Sequence, residues 1–169
     1  MSTLSLYAAA VPPLSRALQN LKTVLGKAAA HAEAQGWDAA VLLQARLFPD
    51  MFPLVRQVQI ATDMAKGCGA RLTGAEVPSW PDDEIDFAGL QARIDRACEL
   101  LAGLDPTAFD GAADRAITLK TPRGELAFTG LSYLQGFVLP NVYFHCTTAY
   151  NLLRHNGVPL GKRDFLGAS

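Results

Sequence analysis

The sequence has 169 residues, of which 50% are hydrophobic and 18% are charged. A chain of this length with so many apolar residues buries a single sizeable core, which excludes an intrinsically disordered protein. The 15 Lys and Arg residues balance 16 Asp and Glu residues to a net charge of -1. Because nucleic acids and anionic membranes attract basic surfaces, we expect no nucleic-acid partner and no membrane partner.

The first predicted helix runs from Leu4 to Gln35 and ends at Gly36. Its apolar residues recur every three or four positions, which is typical of a helix with one buried face. They are Leu4, Tyr7, Val11, Leu14, Leu18, Leu21, Leu25 and Ala28. Pro12 and Pro13 each remove a backbone donor, so we expect a kink or a restart at this point.

Two helical starts follow. Asp38 can cap a short helical piece that reaches Ala45, and Asp50 is placed to cap a second long helix with Pro53 in its first turn. The predicted inward stripe of this long helix is Met51, Leu54, Val58, Ala61, Ala65 and Cys68. The predicted solvent face is Arg56, Gln59, Asp63 and Lys66. Gly74 ends the helix.

An extended connection and a third helix come next. The stretch from Glu76 to Glu84 has no helical period, so we expect an extended connection that Trp80 anchors and that is long enough to cross the end of a bundle. The third helix opens near Asp86 and ends near Gly103. Its inward residues are Phe87, Leu90, Ile94, Ala97, Leu101 and Leu104.

A hairpin is predicted between Ile117 and Phe128, with a turn at residues 121–124 that includes Arg123. The last long helix then runs from Gly130 to His155. No charged residue occurs between positions 126 and 153, which indicates a helix covered on two sides. The first stripe, which should face the core, is Leu131, Leu134, Val138, Val142, Ala149 and Leu152.

A second apolar stripe lies about a third of a turn away on the same helix. It consists of Leu139, Tyr143, Cys146, Tyr150 and Leu153. This stripe packs either under the hairpin or against a second copy of the chain, and we favour a homodimer through the last helix. In the tail, Phe165 and Leu166 are expected to dock on the bundle.

Three isolated cysteines, Cys68, Cys98 and Cys146, form no CxxC pair and predict free thiols in a cytoplasmic protein. The GxSxG, Walker and GxGxxG motifs are absent, which argues against triad hydrolysis and nucleotide binding.

His145 is the residue most suited to chemistry, because it falls inside the inward stripe of the last helix between Val142 and Ala149. One interpretation is a core histidine bonded to Asn141, Thr148 or a tyrosine. The other is a ligand or acid/base group that lines a pocket between helices. In both cases burial without a charged partner lowers its pKa and keeps the ring neutral.

Four segments carry a resemblance to a known family. They are LFPDMFPL at positions 47–54, NVYFH at 141–145, LRHNGVPLGK at 153–162 and DFLG at 164–167. In these segments the chain resembles an uncharacterised bacterial family of unknown function within the DinB/YfiT-like superfamily. The resemblance implies an all-α fold: a DinB-like four-helix bundle, usually dimeric, with a long connection between helices 2 and 3 and a small β-hairpin before the last helix. It covers residues 1–169 as a single domain.

The superfamily is similar to metalloenzymes that use one histidine from the second helix and an HxxxH pair from the last. The corresponding positions here are Gln57, Asn141 and His145, so only one imidazole remains. We therefore expect a pocket formed by these three residues that binds no metal and no cofactor. The leading hypothesis is a small-molecule-binding or interaction protein. The alternatives are a metal- or thiol-dependent transferase or isomerase, and a purely structural dimer.

Overall fold

The computed structural model describes residues 4–122 and 124–167. The helices are α1 (Leu6–Gln35), α2 (Ala39–Leu43), α3 (Leu54–Thr73), α4 (Phe87–Ala102), α5 (Gly130–Tyr133), α6 (Leu139–His155) and α7 (Lys162–Leu166). The strands are β1 (Ala116–Thr121) and β2 (Gly124–Thr129), and a π-helical turn (Leu134–Val138) joins α5 to α6. In the described part of the chain, no helix combines the length and the apolarity needed to cross a membrane.

Helix α1 is continuous, so the predicted restart at its prolines does not occur. Ser5 caps the helix by accepting a hydrogen bond from the amide of Ala8 at 3.1 Å. Pro12 and Pro13 lie inside the helix, and Gly36 ends it in the left-handed conformation with φ of 66°. Its predicted stripe is buried from Val11 to Ala28, which confirms the sequence pattern.

Helix α3 begins later than the sequence pattern suggests. Its N-cap is Pro53, which makes no side-chain capping bond, so the assignment of Asp50 as the cap was wrong. The capping of the neighbouring helices is confirmed. Asp38 accepts from the amide of Ala40 at 2.9 Å at the start of α2, and Asp86 caps α4.

Helices α3 and α4 run parallel to each other. Nε of Arg93 on α4 donates a hydrogen bond to Oγ1 of Thr62 on α3 at 2.8 Å. Further along, α3 approaches the end of α4 so closely that a Cβ at Gly69 would lie 2.7 Å from Cδ1 of Leu104. Since residue numbers rise together along the two helices, the chain between them must return along the length of the bundle.

The connection between α3 and α4 makes this return alongside α3. Trp80 lies over Lys66, whereas Glu84 accepts a hydrogen bond from Gln59 at 2.7 Å, nearer the start of the helix. The connection is extended and held at Trp80, as predicted, but it runs along α3 rather than across the end of the bundle. Its path also buries Gln59 and Lys66, which the sequence pattern had placed on the solvent face.

Helix α1 lies antiparallel to α4. Nζ of Lys22 is 2.6 Å from Oδ1 of Asp95, and further along α1 the position of a Cβ at Gly26 is 3.4 Å from the side chain of Gln91. Residue numbers thus rise on α1 while they fall on α4. Lys22 and Asp95 therefore form an ion pair between two adjacent helices at the surface of the bundle.

The last helix lies antiparallel to α3. Arg71 near the end of α3 donates a hydrogen bond to Tyr133 at 2.9 Å, and Gln57 near the start of α3 meets His145. Helices α1 and α6 therefore point one way and α3 and α4 the other. The expected all-α four-helix bundle with a long connection between its second and third long helices is confirmed.

The hairpin and the last helix follow the predicted order. Strands β1 and β2 pair antiparallel, with Ala116 opposite Thr129 and Thr121 opposite Gly124. Arg123 of the predicted turn lies outside the described residues. The last helix contains the unpredicted π-helical turn. A π turn holds more residues than an α turn, so it rotates the preceding helical residues about the helix axis. This rotation explains why Leu131 is 42% exposed although the sequence pattern placed it on the inward face.

Candidate functional site

Gln57 and His145 form a hydrogen-bonded pair between α3 and α6. Oε1 of Gln57 lies 2.7 Å from Nδ1 of His145, and both side chains are buried within the bundle, His145 with 8% of its surface exposed. Nε2 of Gln57 donates to the backbone oxygen of Phe52 at 2.9 Å, just before α3 begins. The second bond fixes which end of the Gln57 amide faces the imidazole.

This arrangement fixes the proton on the imidazole ring. Because the amide oxygen of Gln57 can only accept, Nδ1 of His145 must carry the hydrogen of that bond. Burial lowers the pKa of His145, and the nearby positive charge of Arg56 lowers it further. The ring is thus neutral at pH 7, and its lone pair lies on Nε2.

Nε2 of His145 is open to a ligand. Every fully buried side-chain nitrogen and oxygen among the described residues has a hydrogen-bond partner. Nε2 of His145 has no hydrogen bond to any described residue, so this atom reaches the accessible surface. The site therefore presents one fixed hydrogen-bond acceptor to solvent.

Exposed aromatic rings border the pair. The ring of Phe144 meets the imidazole of His145 edge to face, with 5.2 Å between centroids, although Phe144 is 56% exposed. Phe52, whose carbonyl holds Gln57, also exposes more than half of its side chain. A flat apolar ligand at Nε2 would lie next to the exposed ring of Phe144.

Asn141 and Thr148 bond to their own helix and not to His145. Nδ2 of Asn141 donates to the backbone oxygen of Phe137 at 2.7 Å, and Oγ1 of Thr148 donates to that of Phe144 at 2.8 Å. Of the three predicted pocket residues, the structure joins Gln57 to His145 by a direct bond. Asn141 lies one turn before His145 on α6.

The donor set does not fit the metal that the superfamily implies. Imidazole and thiolate are the side chains that hold zinc and similar ions tightly, and neutral amides are weak ligands. Gln57 already uses both ends of its amide, which leaves His145 as the one strong ligand here. No group of three or more His, Cys, Asp or Glu residues in the described segments is placed to hold a metal ion.

A buried arginine that the sequence analysis missed holds the connection next to this site. Arg93 on α4 is 4% exposed and pairs with Asp63, Asp82 and Glu84 at 2.8–3.0 Å. Its signal in the sequence was a charge on the inward stripe, three positions after Leu90. Burial alone raises the pKa of Glu84, but the hydrogen bonds from Arg93 and Gln59 outweigh it and lower the pKa.

The network around Arg93 reaches the candidate site through Arg56. Arg56 pairs with Asp82, which also contacts Arg93. Trp80 completes the cluster, because Nζ of Lys66 lies 4.5 Å from its ring centroid and the guanidinium carbon of Arg96 lies 4.4 Å from it. The connection is thus fixed by charge pairs and cation–π contacts rather than by apolar packing alone.

The thiols of the core are inert. Burial raises the pKa of Cys146 to about 12, and burial also raises that of Cys68 to about 12, against a small opposing effect of Arg71. At pH 7 both remain protonated and are poor nucleophiles. All three cysteines are free, which confirms the sequence interpretation that they form no disulfide.

Comparison with known proteins supports the fold at full length. Residues 6–166 match the model of a family described as a domain of unknown function (DUF1993). A crystal structure of a DinB family member protein from Shewanella denitrificans has 44% sequence identity and a TM-score of 0.89, and the match covers 97% of this chain and 93% of that one. No curated protein matches the sequence.

Proposed function

The chain belongs to the DUF1993 family and has the DinB-like fold, and we propose that it is a small-molecule-binding protein whose ligand donates a hydrogen bond to Nε2 of His145. The observation that carries the proposal is the bond between Nδ1 of His145 and Oε1 of Gln57 at 2.7 Å. That bond fixes one tautomer and leaves Nε2 as an acceptor. A hydroxyl, thiol or amide N–H group would satisfy it.

The geometry favours binding without a metal. A single imidazole with two neutral amides is a weak site for a transition metal, as argued above. The exposed ring of Phe144 adds apolar surface beside the imidazole. A ligand with an aromatic body and one donor group therefore fits the site best.

A thiol-dependent transferase or isomerase is the second candidate, and the open Nε2 of neutral His145 is the observation that favours it. The free lone pair of the neutral imidazole can accept the proton of an incoming thiol, and the lowered pKa of His145 makes this base weaker than an ordinary histidine. The buried Cys68 and Cys146 could not supply that thiol, since their pKa values lie near 12. An external thiol would be required.

A homodimer through the last helix and a cytoplasmic location complete the proposal. Exposed Leu131 and Phe144 in the last helical segment support the first, because apolar surface of this kind is typical of interfaces. Three free cysteines support the second, since thiols persist in a reducing compartment. Light scattering at several protein concentrations tests the dimer.

The experiment that tests the binding site uses ¹⁵N-labelled protein purified without a histidine tag. Phenol and anisole serve as probes of equal shape, of which only phenol can donate a hydrogen bond. We expect phenol to shift the Nε2 resonance of His145 at pH 7 and anisole to leave it unchanged. The same titration of His155→Gln, a change at an exposed histidine, should behave like the parent protein.

Three outcomes would contradict the binding proposal. The first is an Nε2 resonance that phenol does not move. The second is a metal ion that co-purifies at about one per chain and is lost in His145→Gln. The third is conjugation of glutathione to 1-chloro-2,4-dinitrobenzene that is abolished by the same substitution, which would favour the transferase.

A further inference from the structure

A cleft of about 570 Å³ lies between the first half of α1, one face of α6 and the C-terminal helix α7. Pro13 from α1, Tyr143 and Cys146 from α6 and Phe165 from α7 are among the residues that line it. The second apolar stripe of the last helix thus faces α1 and α7 rather than the hairpin. Clefts of this volume with apolar walls are typical of small-molecule sites.

The cleft is separate from the His145 site, although α6 forms a wall of both. His145 faces α3 and Gln57, while the next residue, Cys146, faces the cleft. Successive residues of a helix point about 100° apart, so one helix can serve two sites. Ligands at the two places would not contact each other's binding residues.

One end of the cleft opens into a polar groove. Arg16, Asn20 and Leu166 line both cavities, which makes them continuous. The groove also includes Gln19, Thr23, Lys27, Arg163, Asp164 and Gly167. An apolar chamber with a polar exit matches a molecule that has a carbon body and a polar head.

The polar exit carries an excess of positive charge. Arg16, Lys27 and Arg163 face a single carboxylate, Asp164, which pairs with Lys27 at 2.5 Å. Among residues 4–122 and 124–167, neither Arg16 nor Arg163 has a carboxylate partner. Within the same described segments, Arg16 donates a single hydrogen bond, to the backbone oxygen of Leu166 at 3.3 Å. Its remaining donors are available to an anion.

Helix α7 closes one side of the cleft and is held by polar contacts with α1 and a ring contact with α6. Nδ2 of Asn20 donates to the backbone oxygen of Phe165 at 3.0 Å, and the Phe165 ring meets that of Tyr150 at 6.1 Å between centroids. The predicted docking on the bundle is confirmed for Phe165, whereas Leu166 is 49% exposed. Because α7 has no buried residue of its own, a ligand in the cleft would add to the surface that holds it.

We propose that this cleft binds a small amphiphilic carboxylate, with its hydrocarbon body against Tyr143, Cys146 and Phe165 and its carboxylate at Arg16. The apolar walls exclude a fully polar anion. The guanidinium of Arg16, which has no carboxylate partner among the described residues, disfavours a cationic head group. Bidentate pairing of a guanidinium with a carboxylate supplies both affinity and orientation.

Isothermal titration calorimetry of the full chain with octanoate tests the proposal, and 1-octanol is the uncharged probe of the same length. We expect octanoate to bind about tenfold more tightly than 1-octanol, as a charge-assisted hydrogen bond provides. Arg16→Gln should weaken octanoate binding about tenfold and leave 1-octanol binding unchanged. Ala17→Leu, which adds carbon atoms to the cleft wall, should weaken both probes.

Lys120→Gln is the matched control, because it removes one positive charge from an exposed residue of the hairpin that lines neither cavity. It should leave both affinities unchanged. The proposal is overturned if octanoate fails to bind at millimolar concentration, or if Arg16→Gln and Lys120→Gln affect it equally. It is also overturned if the parent is a dimer that Ala17→Leu converts to a monomer, since a second copy would then occupy the cleft.

Discussion

Nδ1 of His145 lies 2.7 Å from Oε1 of Gln57, and this bond joins α6 to α3 across 88 positions of sequence. This bond fixes the imidazole tautomer and leaves the lone pair on Nε2. It also takes up Nδ1, which therefore does not bond to Asn141 or Thr148. The chemistry available to the candidate site follows from this one contact.

Gln57→Glu should raise the pKa of His145 by about one unit or more. A carboxylate in hydrogen-bond contact stabilises the imidazolium, whereas the neutral amide does not. NMR titration of the ring protons measures the shift. Gln44→Glu introduces the same charge at an exposed position, so the pKa of His145 should change little in that variant.

The stability of the protein should fall as the pH is lowered below about 6.5. The pKa of His145 is lowered from its ordinary value of 6.5 in the folded state, so the unfolded chain takes up the proton first. The free energy of unfolding therefore decreases from pH 6.5 down to the folded pKa and then levels off with respect to this group. Urea denaturation at several pH values measures the slope.

His145→Gln should flatten that slope, because the titrating group is gone. His155→Gln is the control, since His155 is exposed and its loss should leave the slope unchanged. Equal slopes in the parent and in His145→Gln would show that His145 does not titrate abnormally.

Arg93→Met should lower the free energy of unfolding by about 3–5 kcal/mol, because it leaves the carboxylate of Glu84, which is 11% exposed, without its cation. It should also release the connection from α3, which tryptophan fluorescence reports. In a Trp37→Phe background, Trp80 emission should move to longer wavelength as the ring becomes exposed to water.

Arg96→Met tests whether the charge network or the cation–π contact holds the connection. Arg96 is exposed and contacts the Trp80 ring, but it forms no ion pair with a described residue. Its replacement should therefore lower the free energy of unfolding by about 1 kcal/mol or less. If Arg96→Met releases Trp80 as fully as Arg93→Met does, the assigned role of Arg93 is wrong.

Gly130→Ala should destabilise the protein by about 1–3 kcal/mol, since the new Cβ would overlap the backbone oxygen of Ala112. Gly136→Ala is the matched substitution in the same helical segment. Nothing lies within 4 Å of a Cβ at Gly136. Because alanine has a better helix propensity than glycine, Gly136→Ala should raise the free energy of unfolding by up to about 1 kcal/mol. Thermal denaturation distinguishes these opposite signs.

The helices could be predicted because each depends on neighbours a few positions away in sequence. Apolar residues at intervals of three and four identified the buried stripes of α1 and α4, and Asp38, Asp86 and Gly36 marked helix ends. The start of α3 was missed because Asp50 is a residue type that often caps helices, but it does not occupy the N-cap position, which is Pro53. The π-helical turn was also missed, and it rotated Leu131 out of the core.

The sequence by itself determined the helical periodicity, the hairpin and the position of His145 on a buried face. Tertiary structure alone decided that Gln57 is the partner of His145 and that Lys66 and Gln59 are buried. The physical reason is the direction of the helices. Because α3 and α4 run parallel, the connection must lie along α3 and cover its polar face, and no local pattern reports which distant segment will do so.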